Sequence, residues 1–474
     1  MQAIRQHTLQ IAAVLLMSAA PALAQEPALP RNSPFNGGVP SGTATVDPIR
    51  LTIIDAVTRA LQHNLGVLLA EQTTNALGGD RLEALSRLLP NVNASLTESR
   101  RKSNLEAFGF PLDANPLGAS FPKVVGPFNV FDARVFVSQT LFDLDAFNQA
   151  GAASHRLEAA KHTYRGARSI VMLASANLYL QALASQARSD AAQAQLKSSE
   201  AIHQQAVDLR QSGMVAGLDV VRAEVRLSAD RQRATAAAND AQKAKLQLAH
   251  VIGLPIGQEF TLDSNIPSIP DAELTLQQAL DAAYARRDDY LAAIETQKAA
   301  EASKRAAIGD RLPTARVTAD YGTIGLTVGT ALPTFSLTGA IDVPIFDGGK
   351  QRARIAQADA ELKRRTAELD SLKASVYYDV RMAFLDVEAT KQQVETATRG
   401  RELAEQQLQQ SRDRFAAGVA SNIEVLQAQE AVAVATEQAI SAQYGLAVAK
   451  ALLAQSTGGA EEALMKAALK GSNP

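Results

Sequence analysis

Apolar residues recur along this chain with two different periods. In four stretches they alternate with polar ones. Val92, Ala94 and Leu96 interleave with Asn91, Asn93 and Ser95, and Val135 and Val137 flank Phe136 before Ser138. Later, Val317, Ala319 and Tyr321 alternate with Arg316, Thr318 and Asp320, and Phe335, Leu337, Ile341, Val343 and Ile345 are interrupted by Ser336, Thr338 and Asp342. A period of two predicts strands with one apolar and one polar face, over about 91–100, 128–142, 314–328 and 334–346. Such strands fit lipid on one side and water on the other, and equally an antiparallel sheet lying on a soluble core. The remainder reads as helix. Residues 143–211 contain no Pro and only Gly151 and Gly166, which predicts a helix about 100 Å long at the helical rise per residue. The flanking helices, about 51–89 and 218–252, would be about 58 and 52 Å long. Stacked end to end, they match the long helix and can lie beside it. Residues 274–312, 348–416 and 420–457 repeat the scheme. Helices of that length suit a tube better than a compact globule.

The closing helices add a seven-residue period. Leu227, Ala234, Ala241 and Leu248 form one seam, and Val432, Ala439, Leu446 and Leu453 form its counterpart. Beside the latter run Ala428, Ala435, Ala442 and Ala449. Small residues at heptad spacing favour close coiled-coil contact, and the second seam predicts neighbours on two sides.

The chain is also written twice. Leu51-Thr52-Ile53-Ile54-Asp55-Ala56-Val57 returns as Leu274-Thr275-Leu276-Gln277-Gln278-Ala279-Leu280, and Leu89-Pro90 returns 223 residues later as Leu312-Pro313. Leu141-Phe142-Asp143 corresponds to Ile345-Phe346-Asp347. Gly213, Asp219 and Gly253 each return 205 residues later, as Gly418, Glu424 and Gly458. Shared alanine-rich composition does not produce offsets held across Gly and Pro landmarks. Thr52 with Asp55, and Thr275 with Gln278, fit capping boxes that start the first helix of each copy; the Leu-Pro pairs end it. The expected organisation is a signal peptide at 1–24 and a Pro-rich segment at 25–48, extended or disordered. A first repeat at 49–253 has its hairpin tip near 212–219. A linker at 254–273 leads to a second repeat at 274–459, with its tip near 417–424, and a tail at 460–474.

Composition narrows the function. Alanine is about a fifth of the chain, as long packed helices favour. The formal net charge is -2, which gives no electrostatic reason to expect nucleic acid. The absence of cysteine excludes disulfides and thiolate chemistry. Arg5, the apolar run from Ile11 to Ala20, and Ala22-Leu23-Ala24 read as an export signal with its cleavage site, and no cysteine follows to carry lipid. No later stretch supplies the 18 or so apolar residues of a membrane helix, so only a closed β-barrel could place the chain in a membrane. His63, His155, His162, His203 and His250 are scattered over helices, Gly348-Gly349-Lys350 lacks the spacing of a phosphate loop, and no pair of carboxylates stands out as catalytic. The reading is of a non-enzyme without cofactor or metal. Four strands cannot close a barrel, for which about eight are needed, so several chains would have to contribute to one wall.

The duplicated helix–strand–strand–helix order, the Leu-Phe-Asp and Ile-Phe-Asp strand ends and the two turn sequences resemble the TolC-like outer-membrane efflux family over about residues 49–459. The turns are Gly213-Met214-Val215-Ala216-Gly217-Leu218-Asp219-Val220 and Gly418-Val419-Ala420-Ser421-Asn422-Ile423-Glu424-Val425-Leu426. The resemblance implies a mainly α fold with a small β part. Three subunits would share a twelve-strand barrel in the outer membrane and a twelve-helix tunnel through the periplasm. It implies a homotrimeric, passive exit duct of a tripartite efflux or type I secretion system, contacting outer-membrane lipid, a periplasmic adaptor and an inner-membrane pump. By the same resemblance Asp219, Glu424, Gln427 and Phe415 fall at a periplasmic gate, while Gly213, Val215, Gly418 and Ala420 fall at tips that dock the adaptor. Gln427 replaces an acidic residue of the family pattern, Phe415 a hydroxyl-bearing aromatic, and Ala420 an arginine, so hydrogen-bonding partners of the family's latch are missing. Asp219 and Glu424 equally fit a second role, as acids at helix N-termini. The connection at about 100–127, with Arg100, Arg101 and Lys102, would lie outside the cell. A soluble periplasmic coiled-coil adaptor or scaffold is the alternative reading.

Overall fold

A computed structural model describes residues 33, 35, 37–105, 107, 122–263, 275–417, 419, 422–459 and 461. Residues 1–24, expected to be a signal peptide, and the C-terminal tail beyond 461 lie outside this set. In chain order the elements are β1 (Ile49–Leu51), α1 (Ile53–His63), α2 (Leu65–Ser86), β2 (Asn91–Asn104), β3 (Val124–Phe142), α3 (Leu144–Gln211) and α4 (Gly217–Val251). There follow β4 (Phe260–Leu262), α5 (Leu276–Arg286), α6 (Asp288–Gly309), β5 (Thr314–Gly325), β6 (Leu332–Asp342), α7 (Lys350–Ala416) and α8 (Asn422–Ser456). The long helices α3 and α7 have 68 and 67 residues, each about 100 Å. The first pairs with α1, α2 and α4, the second with α5, α6 and α8, and α3 also packs on α6 and α8, joining the two copies.

The first helix of each copy is two helices rather than one. Thr52 and Thr275 start them with the expected capping boxes, but the chain turns extended at Asn64 and at Arg287. Asn64 is fully buried. Its Oδ1 accepts from the Gly66 amide at 2.9 Å and its Nδ2 donates to the Phe35 carbonyl at 2.9 Å, so one side chain caps the new helix and anchors the N-terminal segment. Gly66 is required there, because a Cβ would lie 2.2 Å from the Phe35 ring. Arg287 instead holds its break through Asp289 at 2.6 Å and Asp379 of α7 at 2.9 Å.

The segment before β1 is laid along the Asn64 break. Gly38 donates to the His250 carbonyl, Val39 to that of His63, and Ser41 to that of Gly253. The expected linker contains structure as well, for β4 pairs in parallel with β1. Around this small sheet sits the main core, with Leu51, Ala56, Ala60, Val67, Val171, Tyr179, Leu248 and Ile252. The Tyr179 hydroxyl lies 3.0 Å from the carbonyls of both Leu51 and Asp263, and burial pushes its pKa up to about 12.

The other sheet has the order β2-β3-β5-β6, entirely antiparallel. Its register puts Val92, Val137, Ala319 and Leu337 in one row and Ala94, Val135, Tyr321 and Phe335 in the next. The opposite face carries Asn93, Ser95, Arg134, Ser138, Thr318, Asp320 and Ser336. β2 and β3 run further outward than the alternation alone indicated. β5 and β6 are shorter. Gly325 ends β5 before a 3-10 turn at Val328–Thr330, and β6 ends at Asp342, two residues before Pro344, which has no amide to donate to a ladder.

Candidate functional site

At the first tip, α3 is closed by Gly213, whose φ of +72° is natural for glycine. The Gly213 amide donates to the Arg210 carbonyl at 3.0 Å and that of Met214 to Leu209 at 2.9 Å, satisfying carbonyls that the helix end would leave open. Val215 is half-buried, while Met214 and Leu218 are exposed. Asp219 occupies the first turn of α4, which has no side-chain cap, and its carboxylate lies 3.4 Å from Arg222. The helix-end role of this acid is therefore present in the fold.

At the second tip, the Val419 amide donates to the Arg414 carbonyl at 3.0 Å, the same six-residue closure. Gly418 and Ala420 lie outside the described residues. Glu424 stands in the first turn of α8, 3.8 Å from Arg414, with both side chains about half exposed. Gln427 is exposed in a groove shared with Leu403, Gln407 and Glu430. Phe415 does not stand free at the tip. It is half-buried and lines a cavity of about 580 Å³ with Lys197, Ile202, Arg412 and Val425, between α3 and the second hairpin.

One group near the tips was not singled out by the sequence pattern. Asp230 of α4 is 1% exposed. It accepts hydrogen bonds from the Ser199 hydroxyl of α3 and from Arg226 Nε at 2.8 Å, with Arg233 Nη1 at 3.5 Å. Arg226 and Arg233 both reach across to Glu430 of α8, the latter at 3.0 Å. Nearby, Ser198 of α3 accepts from Gln429 at 2.9 Å and from Arg412 at 2.6 Å, and Arg188 pairs with Glu437 at 2.7 Å. These bonds clasp the first hairpin to the second. The Arg233 guanidinium, and then Arg226, hold the Glu430 carboxyl below its usual range. Arg226 and Asp230 are four residues apart, and Asp230 and Arg233 three, spacings that in the sequence look like ordinary solvated helix pairs; only the tertiary packing reveals their burial.

The polar sheet face carries a second charged group. Arg134 of β3 lies 2.7 Å from Asp132 and 2.6 Å from Asp320 of β5. His155 pairs with Glu295 at 2.7 Å and His162 with Asp288 at 2.9 Å, both across the α3–α6 seam. Among the described residues no group of three His, Cys, Asp or Glu side chains could hold a metal ion, and no helix is long and apolar enough to cross a membrane.

Comparison with known proteins gives the same picture over most of the chain. The sequence pattern of the family described as "Outer membrane efflux protein" matches residues 56–254 and 279–459. The pyoverdine export outer membrane protein OpmQ of Pseudomonas putida is 25% identical over 388 residues, 79% of each chain. The outer-membrane channel OprN superimposes with a TM-score of 0.73 at 21% identity, over 86% of this chain and 90% of that one. The open state of the MtrE outer membrane channel of Neisseria gonorrhoeae gives 0.72 at 20% identity, over 89% and 95%.

Proposed function

This chain belongs to the outer membrane efflux protein family, and from that membership we propose that three copies assemble into a passive exit duct through the outer membrane and periplasm. Proteins of this family are efflux channels of the outer membrane and not enzymes. The observation that carries the trimeric reading is the four-stranded sheet. It has two open edges, at β2 and β6, and an apolar face left bare, with Phe335 80% and Leu337 73% exposed. Unpaired strand edges are costly in lipid, and three such sheets joined edge to edge give a closed barrel of twelve strands with a polar lumen. The helices continue this wall as a tunnel. The soluble adaptor reading has no place for a bare apolar sheet face.

The duct is gated at the periplasmic end by the second hairpin and docks an adaptor at the tips, through which an inner-membrane pump drives export. Three features support this reading: the tips match family positions, Glu424 is solvent-facing, and the Asp230–Arg226–Glu430 clasp lies where the two hairpins must separate for the tunnel to widen. Because Phe415 and Ala420 cannot supply the family's hydrogen bonds, the clasp takes over the holding role within each subunit. The ring of three Glu424 carboxylates concentrates negative potential at a narrow mouth and favours cations. OpmQ exports pyoverdine by its name, which supports a small-molecule cargo over a protein one. Planar-bilayer conductance tests the duct and its gate together: the purified protein forms channels, and Glu424→Gln lowers their cation preference. Unchanged selectivity in that variant rejects the acidic gate, and absence of channels rejects the duct.

A further inference from the structure

On the apolar face of the four-stranded sheet, one column of side chains changes character along β2. It reads Val92, Ala94, Leu96, then Glu98 and Arg100, with Lys102 next by strand alternation at a register shift between Arg101 and Ser103. The register gives the height of that change. The lowest apolar row contains Ala315 and Ile341, and the row of Glu98 contains Phe131 and Gly325. Ala315 to Gly325 spans ten residue steps of strand, about 33 Å, or about 25 Å once tilted as barrel strands are. This equals the apolar band of an outer-membrane barrel. Arg100 and Lys102 stand immediately beyond it, at the end of the sheet away from the helices, where the outer lipid headgroups lie. Both are exposed, and among the described residues neither takes a hydrogen-bond or ion-pair partner. Arg101 turns to the polar face, where its Nε donates to Ser99 at 3.2 Å. The equivalent rim of the second β-hairpin, residues 326–331, has no charged residue, so the basic pair is a local feature and not a general property of the outer loops.

We propose that Arg100 and Lys102 form a docking site on the lipid-facing rim of the first β-hairpin for the phosphate headgroup of an anionic outer-leaflet lipid. Cations fixed at the headgroup level attract anionic lipid, and the guanidinium offers phosphate a two-pronged donor. Glu98, the one acid in the column, sits a row closer to the membrane and leaves the outer two positions cationic. This rests on the exit-duct reading, which orients the sheet in the membrane.

The test uses the full-length protein in detergent, with bisphosphorylated lipid A and the same glycolipid stripped of phosphate as probes, read by native mass spectrometry. The wild type retains the phosphorylated lipid and not the stripped one. Arg100→Gln with Lys102→Gln weakens retention by roughly tenfold or more, while Arg101→Gln retains it. Equal retention by the double variant, equal retention of the stripped lipid, or displacement by millimolar inorganic phosphate alone overturns the proposal. Planar-bilayer conductance on the same samples separates the two failures. A wild type that forms no channel refutes the duct, whereas a conducting wild type with charge-independent lipid retention refutes only the lipid site.

Discussion

Gly322 shows how one missing side chain shapes the polar wall. It lies opposite Arg134 in the β3–β5 ladder, and a Cβ there would meet the Ala133 carbonyl oxygen at 2.2 Å and Arg134 Cβ at 2.3 Å. The vacancy lets the Arg134 guanidinium reach Asp320 and, at 3.4 Å, Thr334 of β6, so that one side chain ties three strands together. Gly322→Ala is expected to destabilise the sheet by roughly 1–3 kcal/mol, the usual cost of overpacking, visible as a lower thermal transition of the detergent-extracted protein. An unchanged transition would mean the strands yield without loss. Asp230 is the other residue whose surroundings decide its role. Asp230→Ala leaves Arg226, 14% exposed at its side chain, without its buried partner, and should cost about 3–5 kcal/mol. A denaturant titration measures it, and a loss below about 1 kcal/mol would show that water replaces the carboxylate.

Among elements, α3 packs on α8 through apolar residues such as Leu173 and Ala451, whereas α4 meets α8 mainly through Arg226, Arg233 and Glu430. That makes their contact pH-dependent. Glu430 is held ionised by the arginines, so its contribution is fully present above the ordinary carboxylate pKa and is lost as pH falls through the depressed value. The protection factor of amides at the start of α8, taken relative to intrinsic exchange at each pH, is therefore expected to fall as the pH drops through and below the ordinary carboxylate range, with Glu430→Gln already poorly protected above it. A protection factor insensitive to both would rule out the clasp. The element order, the long helices and the strand faces were legible in the sequence because each follows a regular period. The breaks at Asn64 and Arg287 were not, because they depend on partners distant in sequence: Phe35 in one case, Asp379 in the other. The parallel pairing of β1 with β4 escaped for the same reason, three-residue strands being too short to show alternation. Of the candidate site, the first turn and its Gly213 were readable from residue type. The clasp was not, because burial of Asp230 is created by the crossing of α3, α4 and α8.

At the scale of the whole molecule, a single chain is an open piece of wall. Its closing helix α8 carries a seam of buried alanine, Ala428, Ala435, Ala442 and Ala449, and its sheet has a polar face, an apolar face and two free edges. Each of these is satisfied if the lumen is water, the outside of the sheet is lipid, and the next copy begins where β6 ends. Stoichiometry of the detergent-extracted particle, by native mass spectrometry or sedimentation equilibrium, decides the matter. Three chains per particle, recovered from the outer-membrane fraction, is the expected result; a monomer that stays in solution without detergent would contradict it.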